Sequence, residues 1–174
     1  MSCVVGLIKD GKIYMASEGA ATTAEGERRP IITRKVMWNG DYLMGYTGGV
    51  RTGQLVVDPL LFTPPKEIHL LPGAIREHLE SHGSIMVDEA STQIHNCNFL
   101  VGYNGLLYEI LVDFQLNEVA GDFTAIGSGS PYAMGAMFAT KRVKDPIKRV
   151  EIALQAACQY DSSCAPPFTF EYVE

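Results

Sequence analysis

The chain has 174 residues, 47% of them hydrophobic, with 14 Lys plus Arg against 20 Asp plus Glu and a formal net charge of −6 at pH 7. These values fit a single domain large enough to bury its own core, and exclude a disordered tail or a tandem array. No stretch gathers the Lys and Arg that counterion release from nucleic acid requires, and no apolar run reaches the roughly 18 residues of a membrane span, so neither nucleic acid nor a membrane is an expected partner. Cys3, Cys97, Cys158 and Cys164 are scattered, with no C-x-x-C pair and no secretory signal ahead of them, which reads as a cytoplasmic protein with reduced thiols.

Ser2 to Ile8 is a short β-branched run, and Lys9-Asp10-Gly11 turns it back along Lys12 to Ala16 as a hairpin. A polar loop spans Thr22 to Pro30. A second hairpin follows, with Lys35 to Trp38 and Tyr42 to Thr47 flanking Asn39-Gly40. Gly48-Gly49 and Gly53 then mark a place where the backbone bends or approaches another group closely. From Gln54 to Pro72, Pro59, Pro64 and Pro65 exclude a long helix, and a modest helix is expected over Ala74 to His82. Asn98 to Tyr103 and Leu106 to Val112 surround Asn104-Gly105 as a third hairpin, and Phe123 to Ile126 is a further strand. Ser130-Pro131 and Asp145-Pro146 each read as an N-cap followed by proline at the first helical position. In the second of these helices Ile147, Val150, Leu154, Ala157 and Cys158 form a one-sided apolar stripe. Phe168, Phe170 and Tyr172 alternate with Thr169, Glu171 and Val173 as a last strand. Hairpins followed by grouped helices point to an α+β layered domain, not to βαβ repeats.

The usual catalytic signatures are missing: there is no G-x-S-x-G, no H-E-x-x-H and no Walker loop. His78 and His82 stand at i, i+4, but a solvated helix face explains them better than zinc. Gly127-Ser128-Gly129-Ser130-Pro131 lies between a strand and a helix, where a tight turn explains it better than an anion site lacking its lysine. No metal and no cofactor is expected. Ser2 carries the one unusual possibility. Methionine aminopeptidase normally removes Met1 before a residue this small, and the exposed α-amine titrates near pH 7.7–8.0, so it has a usable neutral fraction as a general base. One residue would then supply both nucleophile and base.

Several further blocks resemble the proteasome β-subunit family of N-terminal nucleophile (Ntn) hydrolases, and within it the bacterial HslV peptidase subunits, nearly end to end. They are Ser2-Cys3-Val4-Val5-Gly6-Leu7-Ile8-Lys9-Asp10-Gly11, the Glu18-Gly19 pair sixteen residues after Ser2, Thr22 four residues later, Lys35-Val36, Gly45-Tyr46-Thr47-Gly48-Gly49, and Ala125-Ile126-Gly127-Ser128-Gly129-Ser130-Pro131-Tyr132-Ala133. The resemblance implies one domain over residues 1–174 with Met1 removed, folded as a four-layer αββα sandwich of two antiparallel sheets covered by helices. It implies a serine variant of a threonine-type endopeptidase, with Ser2 attacking the scissile carbonyl, Lys35 favouring its deprotonation, Glu18 orienting Lys35 and the Gly48 N–H lining an oxyanion hole. Ser128 and Asp161 would surround the terminal amine, Thr22 and the strand near Gly48 would pair with an extended peptide, and Tyr46 would wall a specificity pocket. The implied partners are further copies of the chain in rings, an AAA+ unfoldase ATPase and unfolded polypeptide.

The chain departs from that pattern at four places. Serine stands where most active members use threonine, Glu18 where they use aspartate, Cys164 where 20S-type subunits carry serine, though HslV departs there too, and a Pro-rich segment, 52–72, where they have their first long helix. Two other classes therefore stand beside the peptidase: an inactive scaffold of proteasome fold, and a small-amide Ntn amidohydrolase using Cys3. Strand alternation turns Cys3 away from Ser2, toward a buried structural position.

Overall fold

Alternation along the strands sorts the apolar side chains into three separate cores, and three cores require four layers. The computed structural model describes residues 2–22 and 27–172. Strands β1 (Val4–Lys9) and β2 (Lys12–Ser17) form the opening hairpin, β3 (Ala20–Thr22) and β4 (Arg28–Pro30) a short ribbon, and β5 (Val36–Asn39) and β6 (Tyr42–Gly48) a second hairpin. Helices α1 (Val50–Val57) and α2 (Leu71–Ser81) come next, then a ribbon of β7 (Met86–Val87) and β8 (Gln93–Ile94). The remainder is β9 (Cys97–Tyr103), β10 (Leu106–Ile110), β11 (Leu116–Glu118), β12 (Phe123–Ile126), α3 (Ser130–Ala139), α4 (Pro146–Tyr160) and β13 (Thr169–Tyr172).

The strands pair antiparallel into a four-stranded sheet ordered β12-β1-β2-β13 and a five-stranded sheet ordered β11-β10-β9-β6-β5. Val4, Ile13 and Met15 from the first sheet meet Val36, Leu43, Leu100 and Leu107 from the second, forming the middle core. Cys3, Val5, Leu7 and Ala16 face the other way, against Met137 of α3 and Val150, Ala153, Leu154 and Ala157 of α4. Met44, Phe99, Val101 and Ile110 turn outward from the second sheet onto Leu55 and Val56 of α1 and Ile75 and Leu79 of α2. The result is the expected αββα order. Side chains buried in this way stabilise the fold by about 1.5–3 kcal/mol each. Gly45 permits the sheets to meet, since a Cβ there would lie 2.8 Å from Val4 Cγ1 and 2.9 Å from Met15 Sδ.

Several boundaries differ from the sequence reading, each for a physical reason. The sequence reading assigns no element to Val50–Val57, a segment rich in β-branched residues and containing Gly53, and excludes only a long helix from Gln54 onward. Helix α1 forms there because Leu55, Val56 and Val57 bury against the second sheet, and packing overrides propensity. It stops at Asp58-Pro59, so no long helix occupies residues 52–72. Helix α2 begins at Leu71, three residues earlier than expected, because a first turn tolerates Pro72. The second hairpin turns at Gly40-Asp41, one residue beyond Asn39-Gly40, and Asn39 pairs with Tyr42. Asn39 is buried, and its amide donates to the carbonyls of Val56 (3.3 Å) and Phe62 (3.0 Å), tying the hairpin to the chain leaving α1. Ser130 is the first residue of α3, not its cap: Gly129 holds the cap position without a side-chain bond. Asp145 caps α4 as expected, accepting from the N–H groups of Ile147 and Lys148. The ends of the presumed Thr22–Pro30 loop pair as β3 and β4, while residues 23–26 and Val173 lie outside the described residues.

His95 is buried just before β9, between the rings of Phe99 and Phe114. Burial pushes its imidazole down to about 4. The unfolded chain, with an ordinary histidine near 6.5, therefore binds this proton more readily than the folded one. Folding stability should fall as pH drops from about 6.5 to about 4, by an amount on the order of 3 kcal/mol from this residue. Urea unfolding midpoints of wild type and His95→Gln, followed through that window, test this: the acid-side slope should be shallower in the variant.

Candidate active site

Ser2 precedes β1 and is held at the open end of the first sheet. Its carbonyl accepts the N–H of Gly129 at 3.2 Å, and the next carbonyl, of Cys3, accepts the N–H of Glu18 at 3.3 Å. Two steps before Val4, it shares the face that looks toward the second sheet, while Cys3 packs into the helix-covered core. Cys3 is fully buried, and burial pushes its thiol well above the usual range. Gly127 makes this approach feasible: its φ is +94°, and a Cβ there would lie 2.2 Å from the Ser2 carbonyl oxygen.

Lys35, immediately before β5, reaches across from the second sheet. Its ammonium donates to Ser2 Oγ at 2.7 Å, to Glu18 Oε1 and to the carbonyl of Ala20. Three N–H groups thus meet three acceptors, so Lys35 acts as a donor with no lone pair to offer as a base. Glu18, just past β2, has its other oxygen occupied as well, accepting from the N–H of Ala20 at 2.7 Å and of Ala165 at 3.3 Å. Ser2, Glu18 and Lys35 are all buried, at 3%, 1% and 1% exposure. The extra methylene of glutamate relative to aspartate is accommodated: the carboxylate reaches Lys35 without leaving its two backbone donors.

On the other side of Ser2, the Ser128 hydroxyl accepts the Ser2 N–H at 3.2 Å. Asp161 closes the end of α4 on the same side, accepting from the Ser163 N–H and, at 3.6 Å, from the Cys164 thiol. Burial works to raise the Asp161 carboxyl, but hydrogen bonds from Ser128, Ser163 and Cys164 outweigh it and hold the group below its usual range. The Ser163 N–H lies 2.8 Å from its Oδ1. Ser128 therefore meets both ends of the Ser2 backbone, accepting its N–H and donating to its carbonyl at 3.4 Å, on the side away from the Lys35–Glu18 pair.

Gly48 ends β6 with a φ of +110°, and a Cβ there would lie 2.1 Å from the Asn96 carbonyl oxygen. The turn is braced from behind by residues for which sequence reasoning had no signal. The Asn96 carbonyl accepts the Gly49 N–H at 3.0 Å, and the Cys97 thiol donates to the Gly49 carbonyl at 3.1 Å. Burial raises the Cys97 thiol to about 12, keeping it a neutral donor. Gly48, Gly127 and Ser128 border a cavity of about 420 Å³. The short β3 brings Thr22 to one side of this arrangement, with its hydroxyl buried and without a partner among the described residues. Tyr46 is not brought to the cavity. It is buried beneath α1, where a Cβ on Gly53 would lie 2.0 Å from its ring. The His78 and His82 rings meet at a tilt of 46° with centroids 4.4 Å apart, and His78 Nε2 pairs with the Leu55 carbonyl at 2.9 Å, a structural use of both rings. Among the described residues, no group of three or more His, Cys, Asp or Glu side chains is arranged to hold a metal, and no helix is long and apolar enough to cross a membrane.

No family model matches the sequence, and no curated protein matches it. Solved structures do. BPH from Thiobacillus denitrificans, in complex with epoxomicin, superposes with a TM-score of 0.84 at 22% identity, covering 99% of this chain and 98% of that one. Eukaryotic HslV from Trypanosoma brucei gives 0.72 at 19% identity, with 99% of each chain covered. Anbu from Hyphomicrobium sp. strain MC1, as a Gly-1 mutant, gives 0.73 at 15% identity over 98% of this chain and 80% of that one. The chain has the proteasome-like αββα fold that BPH, HslV and Anbu share.

The buried pair supplies a stability test that is independent of any activity. Lys35→Met removes the only cation bound to Glu18 among the described residues and should cost about 3–5 kcal/mol, whereas Lys35→Met with Glu18→Gln should recover much of that loss. Urea denaturation of the two single variants and the double variant measures the coupling.

Proposed function

We propose that the chain is a subunit of a self-compartmentalised Ntn peptidase that hydrolyses peptide bonds of unfolded polypeptides, with Ser2 as nucleophile and its own α-amine as base. The observation that carries this reading is the 2.7 Å contact between Lys35 Nζ and Ser2 Oγ within a fully satisfied, buried ion pair. Nothing in an ordinary strand end calls for a buried cation aimed at a serine hydroxyl. Removal of Met1 converts the Ser2 nitrogen from an amide into an amine, and that amine takes the hydroxyl proton directly or through water. The oxygen attacks the scissile carbonyl while Lys35 stabilises the developing charge, and the Gly48 N–H receives the oxyanion. Collapse of the intermediate breaks the C–N bond, the α-ammonium protonates the departing amine, and water then releases the acyl group from Ser2. Ser128 and Asp161 hold the amine in place, and the β3 strand near Thr22 pairs with the extended substrate.

Likeness to HslV and Anbu supports a homo-oligomeric ring with Ser2 facing its interior, and likeness to HslV supports an AAA+ unfoldase as the partner that delivers substrate. An α1 of only eight residues, followed by Pro59, Pro64 and Pro65, means that subunit contacts at this end are built differently from a long helix. A second reading rests on the same serine: with Met1 attached, Ser2 is 3% exposed and its nitrogen is a peptide donor to Ser128, the state of an inactive scaffold. The Cys3 amidohydrolase finds no support, since that thiol is buried on the opposite face with its pKa raised.

Intact mass of the protein from its natural cell should show loss of one methionine, and a hydroxyl-directed electrophile should modify Ser2 and not Cys3. Ser2→Ala should lower hydrolysis of an unfolded polypeptide at least about a thousandfold, while shifting the melting temperature by no more than about 4 °C, because Lys35 keeps its other two acceptors. Retained Met1 together with activity that survives Ser2→Ala would overturn the reading. Sedimentation should show an assembly of several copies; a monomer at every concentration removes the chamber.

A further inference from the structure

The cavity beside the site has a chemical character that the mechanism does not use. It opens between the sheets, where β6, β9 and β10 face β12, and at about 420 Å³ it exceeds the space one long side chain needs. Its walls are neutral except for Glu109. Glu109 is half-buried near the end of β10, and its Oε1 accepts the Thr124 hydroxyl from β12 at 2.7 Å. That neutral donor orients the carboxylate without compensating its charge, and among the described residues no Lys, Arg or His lies within ion-pairing distance of it. Lys35, the cation bonded to Ser2, is already paired with Glu18. A partly desolvated carboxylate of this kind attracts a cation more strongly than an exposed one does.

Position assigns the cavity to one side of the substrate. Glu18, Ala20 and Lys35 gather around Ser2 Oγ, and none of them lines it. Gly127 and Ser128, which hold the Ser2 backbone from the other side, do line it. The departing amine must collect its proton from the Ser2 nitrogen, so the leaving half of the substrate lies toward Ser128 and the cavity. We propose that this cavity receives the side chain of the residue that becomes the new N-terminus after cleavage, and that Glu109 selects lysine or arginine there. The inference rests on the peptidase reading above.

The test uses the assembled, Met1-free protein. Hydrolysis of an aminocoumarin peptide amide, which has no residue on the leaving side, shows first whether Ser2-dependent hydrolysis exists; its absence overturns the peptidase reading and the inference with it. Internally quenched peptides differing only in the residue after the scissile bond, Arg, Lys, Leu or Glu, then report selection. The expected result is a kcat/KM ratio of Arg over Leu of at least tenfold, falling to near unity in Glu109→Gln, which retains the acceptor for Thr124, and inverting in favour of Glu in Glu109→Lys. Equal rates for all four peptides in wild type, or a ratio unmoved by either variant, overturn the inference while leaving the peptidase in place. Should the variants not fold, mass-spectrometric mapping of peptides released from unfolded casein by wild type decides: Lys and Arg enriched at the new N-termini supports the assignment, and no enrichment overturns it.

Discussion

The Lys35–Glu18 pair is the constraint on which the rest of the site depends. Withdrawing two charges from water costs several kcal/mol per ion, and such a pair survives only when its remaining hydrogen-bonding capacity is met. Here it is met by atoms from distant parts of the chain: Ser2 Oγ and the Ala20 carbonyl for the lysine, the N–H groups of Ala20 and Ala165 for the glutamate. Because Lys35 enters from one sheet and Glu18 leaves the other, the pair fixes how the two sheets sit at their open end. Ser2 takes its place as one acceptor in that network, so its hydroxyl is positioned by the same bonds that make the buried charges tolerable.

Packing and chemistry are divided cleanly along the N-terminal strand. Cys3, Val5 and Leu7 anchor it to α3 and α4, while Ser2 and Val4 face inward to the other sheet. A shift of one residue would exchange those faces and put the hydroxyl among apolar helices. The Gly127 and Gly48 positions, where no Cβ fits, hold the opposite edges of the same opening.

Much of this was legible in the sequence because hairpin turns and proline caps act locally. The Asp10-Gly11 and Asn104-Gly105 turns fix two hairpins by their own positive φ values, and Asp145-Pro146 starts α4 unaided. Ser2, Glu18, Lys35, Ser128 and Asp161 were legible through resemblance, and the structure brings them together. What stayed hidden depends on contacts that no local pattern encodes. Helix α1 exists only against the second sheet, and the turn of the second hairpin shifts because Asn39 finds better partners in the Val56 and Phe62 carbonyls. The Ala20 and Ala165 backbone groups carry no residue-type signal. Tyr46 reads as a pocket wall by position, yet alternation along β6 turns its ring beneath α1, into the core with Tyr42 and Met44.

The span of these contacts has a kinetic consequence. The bond from Ser2 to Ser128 closes a separation of 126 residues, and that from Glu18 to Ala165 one of 147. Loops this long form late, because their closure entropy is met only after nearer elements have docked, and pairings so distant slow folding in general. Strand β1 lies inside its sheet, between β2 and β12, so its outer neighbour arrives only once the chain has emerged from synthesis as far as Phe123–Ile126. A nascent or partly folded chain therefore carries Ser2 with neither of its flanking networks in place. Assembly of the site is in this way coupled to completion of the chain, whatever the timing of Met1 removal.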